Sequence, residues 1–403
     1  MELLIHKNVL GTELHLLTDP EKGSIEWRRD TVDDVWVVGD PNHVGSVEAL
    51  LDVLGKPPLD LFPKSHLKAF RELCAEGTKS QIPWRWVLGD EEYMNRINSI
   101  IQRSRDNVCA LEESNYDQTY KTIRKFLLGL KEPLVDVSKL ARYIKTNDKG
   151  MTVEASLRSF APANGRTSKI KYDQAGTATG RLTVKSGPRI LTLPARHRDI
   201  LKAEEGCEIV QIDLVSAEPR TALYVAGKDA TGDVYEGIAR DLNLDVSRDV
   251  VKVASLSALY GAGSFSLSKL LGSKVTAKRV INRLRDHFGV ARIESQLTHD
   301  MTVHGHISNL FGRKLMTRPD EIQKAYSHFM QSTTSDAAIV MFSIASETMK
   351  EADDKFMPHF VIHDAMVCQV SSDKKDQLAS MTKHLELTGV GLYETKMSPI
   401  SDS

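Results

Sequence analysis

Apolar and polar positions alternate in different ways along the chain, and each pattern predicts a different element. Between residues 1 and 55 the apolar runs are short, as at Val35–Val38, and are cut by Gly, Asp and Pro. That texture predicts a small strand-containing region. From Pro63 to about Lys149 apolar residues recur at three- and four-residue spacing. Lys64–Ala75, Glu91–Arg105 and Tyr116–Leu130 are therefore read as amphipathic helices. Ile209-Val210-Gln211-Ile212 is a β-prone run ending at Asp213. Two further apolar runs, Val361-Ile362 and Ala365–Val370, flank His363-Asp364 and predict a tight hairpin with an acid at its tip. Tight hairpins usually turn on Asn-Gly or Asp-Gly, so His-Asp at that turn hints at function.

Arg248 to Gly261 reads as a helix with two distinct faces. Positions 248, 252, 256 and 260 advance by about 40° each and form one stripe of Arg, Lys, Leu and Tyr. Val251, Ala254 and Ala258 fall on the opposite side and predict the packed face. A solvated basic helix would show the same stripe. Equally, two cations followed by an apolar and an aromatic group match the phosphates, sugar and base of a nucleoside triphosphate.

Composition describes an ordinary globular chain of 403 residues, 41% hydrophobic and 27% charged, long enough for two or three domains. With 53 basic and 54 acidic residues it is no simple basic coat for nucleic acid. The distribution changes that picture. Asp19 to Phe62 holds ten acidic and four basic side chains, a balance of −6, whereas Arg166 to Lys202 holds nine basic and two acidic, a balance of +7. The basic stretch is interleaved with Gly, Ser and Thr (GTATGRLTVKSGPR), which suits phosphate contacts better than an amphipathic helix.

Cys74, Cys109, Cys207 and Cys368 are too far apart for a metal knuckle and are read as reduced, mostly buried thiols in a cytoplasmic protein. No apolar run reaches the ~18 residues of a membrane span, and the N-terminus lacks a secretory pattern. His299, His304 and His306 have no nearby Cys and are read as unmetallated surface or helix-end residues. Gly261-Ala-Gly263 is read as a helix stop, because it lacks the Lys-Ser/Thr ending of a phosphate loop.

Asp213 and Asp364 carry the candidate chemistry. Asp213 alone could be a helix N-cap. Two strand-end carboxylates could instead share a pair of Mg²⁺ ions about 3.5–4 Å apart, clamping the attacking and leaving oxygens of a phosphoryl transfer. Mg²⁺ favours one or two carboxylates completed by substrate phosphates.

These residues resemble the family A DNA polymerases, in order, from Asn164 to Val370. Tyr172–Leu182 (YDQAGTATGRL) is similar to the family's YHQAxTATGRL stretch, and Asp213–Arg220 (DLVSAEPR) resembles motif A, DYSQIELR. Arg248–Gly261 matches motif B, RxxxKxxxFxxxYG. Leu310–Leu315 is similar to LxGRRL, Met330-Gln331 with Asp336 to MQGTAAD, and Val361–Ala365 to motif C, VHDE.

The resemblance implies an α+β right-hand fold with an antiparallel palm, helical fingers and a helical thumb. The corresponding division is 1–55 as a small acidic region, 56–160 as thumb-like, 161–228 as the first palm part, 229–300 as fingers (motif B helix 247–261), and 301–403 as the second palm part and tail. It implies that Asp213 and Asp364 hold two Mg²⁺ ions, for which Mn²⁺ can substitute, and that Arg248 and Lys252 bind the triphosphate of a dNTP. Lys252 would also protonate the leaving pyrophosphate. Leu256 and Tyr260 would pack on the nucleotide, and Glu218 would act as steric gate against ribonucleotides. Arg181, Gln331, His363 and Arg313 would contact the primer-template DNA.

Four departures accompany the match: Leu256 replaces an aromatic, Ala365 replaces a Glu, and Leu214 and Pro219 alter motif A. The tail beyond motif C has no family counterpart. No exonuclease is expected, and the acidic 1–55 region is read as a docking element for a replication accessory protein or as a remnant. Such a build suits replication or repair in a bacterial cell or phage-infected host. A single-subunit RNA polymerase and a polymerase-derived DNA-binding subunit remain the alternatives.

Overall fold

The computed structural model describes residues 2–19, 23–63, 82–146, 151–228, 230–260, 265–315 and 317–400. The expected helix at Lys64–Ala75, Cys74 and the Gly261–Gly263 stop lie outside the described residues. The chain folds as two compact units, Met1–Leu128 and Gly129–Ser403.

The first unit opens with four strands, β1 (Leu3–Ile5), β2 (His15–Asp19), β3 (Ser24–Arg28) and β4 (Trp36–Val38). They form one sheet in the order β3-β2-β1-β4, with β1 and β4 parallel and the other pairs antiparallel. The Val35–Val38 run thus becomes a buried strand beside β1. Helices Asp90–Glu112 and Asp117–Leu128 follow; the second lies close to the expected Tyr116–Leu130, and the first begins at the expected place but runs on past Arg105. Helix Asp90–Glu112 buries Tyr93, Ile97, Ile100, Ile101, Ser104, Val108 and Leu111, a stripe at helical spacing. Cys109 lies off that stripe and is exposed, Cys207 is half-buried, and Cys368 is buried. Among the described residues, then, most cysteines are not buried. The 90–112 helix turns position 109 to solvent because its core face is already supplied by 108 and 111.

The second unit is built on a five-stranded, fully antiparallel sheet. Two short two-stranded pieces accompany it: β5 (Leu134–Val135) with β8 (Leu201–Lys202), and β6 (Lys171–Asp173) with β7 (Thr183–Ser186). The main sheet runs β10-β11-β9-β13-β12, with β9 Cys207–Leu214, β10 Met357–Ile362, β11 Ala365–Ser371, β12 His384–Leu387 and β13 Gly391–Pro399. The tail beyond the 362–365 hairpin supplies β12 and β13, and β13 lies along one side of β9. β11 lies along the other side, buried in all seven residues.

Helices Val234–Asp241, Arg248–Tyr260, Lys274–His287 and Val290–His304 share an apolar core containing Ile238, Val251, Ala258, Leu284 and Phe288. The long helix Ala325–Ala352 joins the same core through Tyr326 and Phe329. Val251, Ala254 and Ala258 are fully buried, as the spacing predicts, while Arg248 and Lys252 are exposed. His299 and His304 are exposed on helix Val290–His304, and His306 is half-exposed just beyond it. Among the described residues no helix is long and apolar enough to cross a membrane. Helices and antiparallel sheets together make this an α+β fold.

Candidate active site

Asp213 is the penultimate residue of β9, and the next helix begins only at Ala217, so its carboxylate is not that helix's cap. β9 and β11 are in register, with Asp213 opposite Ala365 and the Leu214 N–H donating to the Asp364 carbonyl at 3.0 Å. The hairpin between β10 and β11 closes on two residues, since Ile362 pairs with Ala365. His363 takes φ 56°, the left-handed region a two-residue hairpin needs at its first turn position. The fold thus sets Asp364 beside the end of β9.

Electrostatics registers this proximity. Desolvation is the first cause that raises the Asp364 carboxyl above its ordinary value, and the negative charges of Glu218 and Asp213 push it further. Asp213 is raised as well, again by desolvation. The Gln211 amide, Arg198 and Lys396 pull it back down. Gln211 Nε2 lies 2.9 Å from both carboxylate oxygens of Asp213.

A cavity of about 310 Å³ gathers Arg181, Leu182, Glu218, Gln331, Thr334, Ser335, Ala338, His363 and Asp364. Five of the residues singled out from sequence therefore line one cavity: Arg181, Glu218, Gln331, His363 and Asp364. Arg181 Nη2 pairs with Glu218 Oε1 at 2.5 Å, both side chains being partly exposed. Tyr260 lies next to them. Burial raises its phenol, and the Glu218 carboxylate adds to the effect while Arg181 opposes it. Glu218 stands in the first turn of helix Ala217–Val225. Pro219 is tolerated there because first-turn N–H groups have no intrahelical acceptor.

Other candidates sit differently. Arg248 Nε contacts Asp233 Oδ2 at 2.7 Å and its guanidinium lies over the Tyr235 ring. Asp233 also caps helix Val234–Asp241 through the Tyr235 and Glu236 N–H groups. Lys252 is exposed and Leu256 half-buried on the same stripe. Arg313, expected to contact template-primer, is instead buried at 4% exposure. Its Nη1 pairs with fully buried Asp336 at 2.8 Å, and Nη2 donates to the Gln174 carbonyl. Asn309 Nδ2 donates to the second Asp336 oxygen at 2.7 Å. A buried carboxylate needs such partners, so Arg313 serves inside the protein. Gly180 of the TATGRL stretch has φ 71°, and a Cβ there would run into the Arg313 guanidinium. Motif A's Arg220 is likewise 1% exposed, donating to the Val215 and Gly232 carbonyls at 2.8 and 2.7 Å and to the Ala230 carbonyl.

Against this geometry stand the comparisons. Residues 97–388, more than two thirds of the chain, match the model of DNA polymerase family A. The chain belongs to that family. It is a DNA-directed DNA polymerase, a nucleotidyltransferase that binds DNA. The polymerase domain of Pol1 from M. smegmatis, solved in complex with DNA primer-template and dNTP, shares its fold at a TM-score of 0.65 and 13% identity. The alignment covers 98% of this chain and 94% of that one. No curated protein matches the sequence.

For this polymerase the cation question turns on the donor set. Asp364 lines the cavity and is raised by desolvation and by the charges of Glu218 and Asp213, while Asp213, at the neighbouring strand end, is raised by desolvation. Among the described residues no group of three or more His, Cys, Asp or Glu side chains could hold a metal ion. Ala365, opposite Asp213, is where the family's further carboxylate would stand. Two carboxylates fit Mg²⁺, which takes one or two from protein and the rest from phosphates and water.

Three residues beside Asp213 escaped the sequence reading: Gln211, Arg198 and Lys396. Period-two spacing puts Gln211 on Asp213's face of β9, and a Gln inside an otherwise apolar run was the available signal. Lys396 pairs opposite Asp213 from β13, whose tail sequence carried no family signal.

Proposed function

We propose that this chain extends a primer 3′-hydroxyl with dNMPs, by nucleotidyl transfer at Asp213 and Asp364, with Mg²⁺ (or Mn²⁺) as the cofactor. The observation that carries the reading is the register of β9 against β11, which brings two separately encoded carboxylates together beside Glu218, Arg181, Gln331 and His363. When bound, a pair of divalent ions supplies charge stabilisation at the attacking and leaving oxygens. Arg248 and Lys252 bind the triphosphate, and Lys252 delivers the proton to the departing pyrophosphate. Arg248 first exchanges Asp233 for phosphate, a swap of one anion for another. Tyr260 and Leu256 pack on the nucleotide, and Glu218 obstructs a ribose 2′-hydroxyl. Arg181 and Gln331 read the minor groove at the primer end, which His363 positions.

In this reading 161–228 and 301–403 form the palm, 229–300 the fingers and 56–160 a thumb-like region, with 1–55 available to an accessory protein. Its partners are primer-template DNA and dNTPs, its reaction is synthesis without exonuclease, and its free thiols suit the cytoplasm. A second reading, a primer-template-binding subunit with weak catalysis, is favoured by Ala365 and by the carboxylate set being a pair. Primer extension with Mg²⁺, run with dNTPs and with rNTPs, tests both. Extension from dNTPs supports polymerisation, binding without extension supports the subunit, and a ribonucleotide preference supports an RNA polymerase.

A further inference from the structure

β9 carries a polar side chain to which the polymerase reading gives no task. Gln211 stands two residues before Asp213, and both side chains project from one face of the sheet. Its Nε2 is 2.9 Å from Oδ1 and 2.9 Å from Oδ2 of Asp213, in the notch between the two oxygens. Its Oε1 accepts from Arg198 Nη1 at 3.0 Å. The second contact fixes which way the amide points. A guanidinium only donates and a carboxylate only accepts, so the amide oxygen faces Arg198 and the nitrogen faces Asp213. Ala365, directly across on β11, has no side-chain polar atom to compete for the notch.

We propose that Gln211 is a cation placeholder: its amide occupies the Asp213 carboxylate oxygens that a divalent ion would need as ligands, and Arg198 holds it there until loading displaces it. The proposal rests on Asp213 being a metal ligand. An N–H donor and a cation seek the same lone pairs, and Mg²⁺ needs oxygens at about 2.0–2.1 Å, so the two cannot share the notch. Displacing the amide opposes ion binding in the protein alone. Nucleotide phosphates, by adding ligands, offset that opposition, and ion loading becomes linked to the arrival of the nucleotide.

The test is Mn²⁺ titration of the full chain without DNA or nucleotide, with free ion read by electron paramagnetic resonance. Gln211→Ala and Gln211→Met, the second keeping side-chain length, are expected to bind Mn²⁺ about tenfold tighter, about 1.4 kcal/mol. Arg198→Ala is expected to tighten binding too, and the double variant to gain less than the sum of the two single gains, because Arg198 acts partly through the amide and partly by its charge on Asp213. Additive gains would mean that Arg198 acts by charge alone and would overturn its part. Unchanged or weaker binding in both folded Gln211 variants overturns the placeholder. Asp213→Asn separates the two levels. If it abolishes binding while the Gln211 variants gain nothing, only the placeholder falls; if it binds as wild type, the assignment of Asp213 falls and the placeholder with it.

Discussion

At Asp364 the charge that suits a metal site works against the folded protein. Its carboxyl is raised by desolvation and by Glu218 and Asp213, so the folded state holds the proton more tightly than the unfolded chain does. Stability attached to this group is therefore highest at acid pH and is lost as pH rises from the ordinary carboxylate value through the raised one. Asp364→Asn removes the cost. Thermal melts without divalent ions are expected to show a higher Tm for the variant at pH 8, with the gap closing toward pH 4. An unchanged or lower Tm at pH 8 would contradict this. At the same scale, a residue's type was more legible than its environment. Arg313 in LFGRKL is expected, by the family resemblance, to contact template-primer, and Arg is a residue type that also serves buried ion pairs. Its actual partner, Asp336, lies on a helix 23 residues away, and no local pattern marks that pairing.

The elements that carry the site are held by contacts between segments far apart in sequence. β10 is an edge of the main sheet, and an edge strand presents unpaired backbone groups. Tyr172 fills that edge at one position: its hydroxyl donates to the Val361 carbonyl at 2.7 Å and accepts from the Val361 N–H at 3.0 Å. The YDQAGTATGRL stretch is thereby tied to the strand leading into the His363-Asp364 turn. Tyr172→Phe is expected to cost about 1–3 kcal/mol by stranding both groups, measured by denaturant unfolding. A loss within about 0.5 kcal/mol would mean that water replaces the hydroxyl. The helix Arg248–Tyr260 and the 362–365 hairpin were legible because period 3.6 and a turn between two apolar runs are local signals. The place of β13 beside β9 was not, because a strand's partners are chosen by long-range register rather than by its own residues.

For the molecule as a whole, near-neutral charge is the sum of unlike parts. The stretch Arg166–Lys202, at +7, contributes β6 and β7 and includes Arg181 of the site cavity. Stretch Asp19–Phe62, at −6, belongs to the other compact unit. Primer-template affinity is accordingly expected to fall steeply with salt. Replacing exposed Lys185 or Arg189 by Ala should lower the slope of log K against log salt by about one for each phosphate no longer neutralised. A slope unaffected by both would place the DNA elsewhere. The fold class was legible from six ordered motifs, while the division into compact units at Leu128/Gly129 had no composition shift to mark it.

Primer extension with dNTPs and Mg²⁺, comparing the wild-type chain with Asp213→Ala and Asp364→Ala, tests the central claim most directly. Nucleotidyl transfer at these two carboxylates predicts extension by the wild type and a loss of about a thousandfold in each variant, about 4 kcal/mol of transition-state stabilisation. Extension that survives either substitution would contradict it.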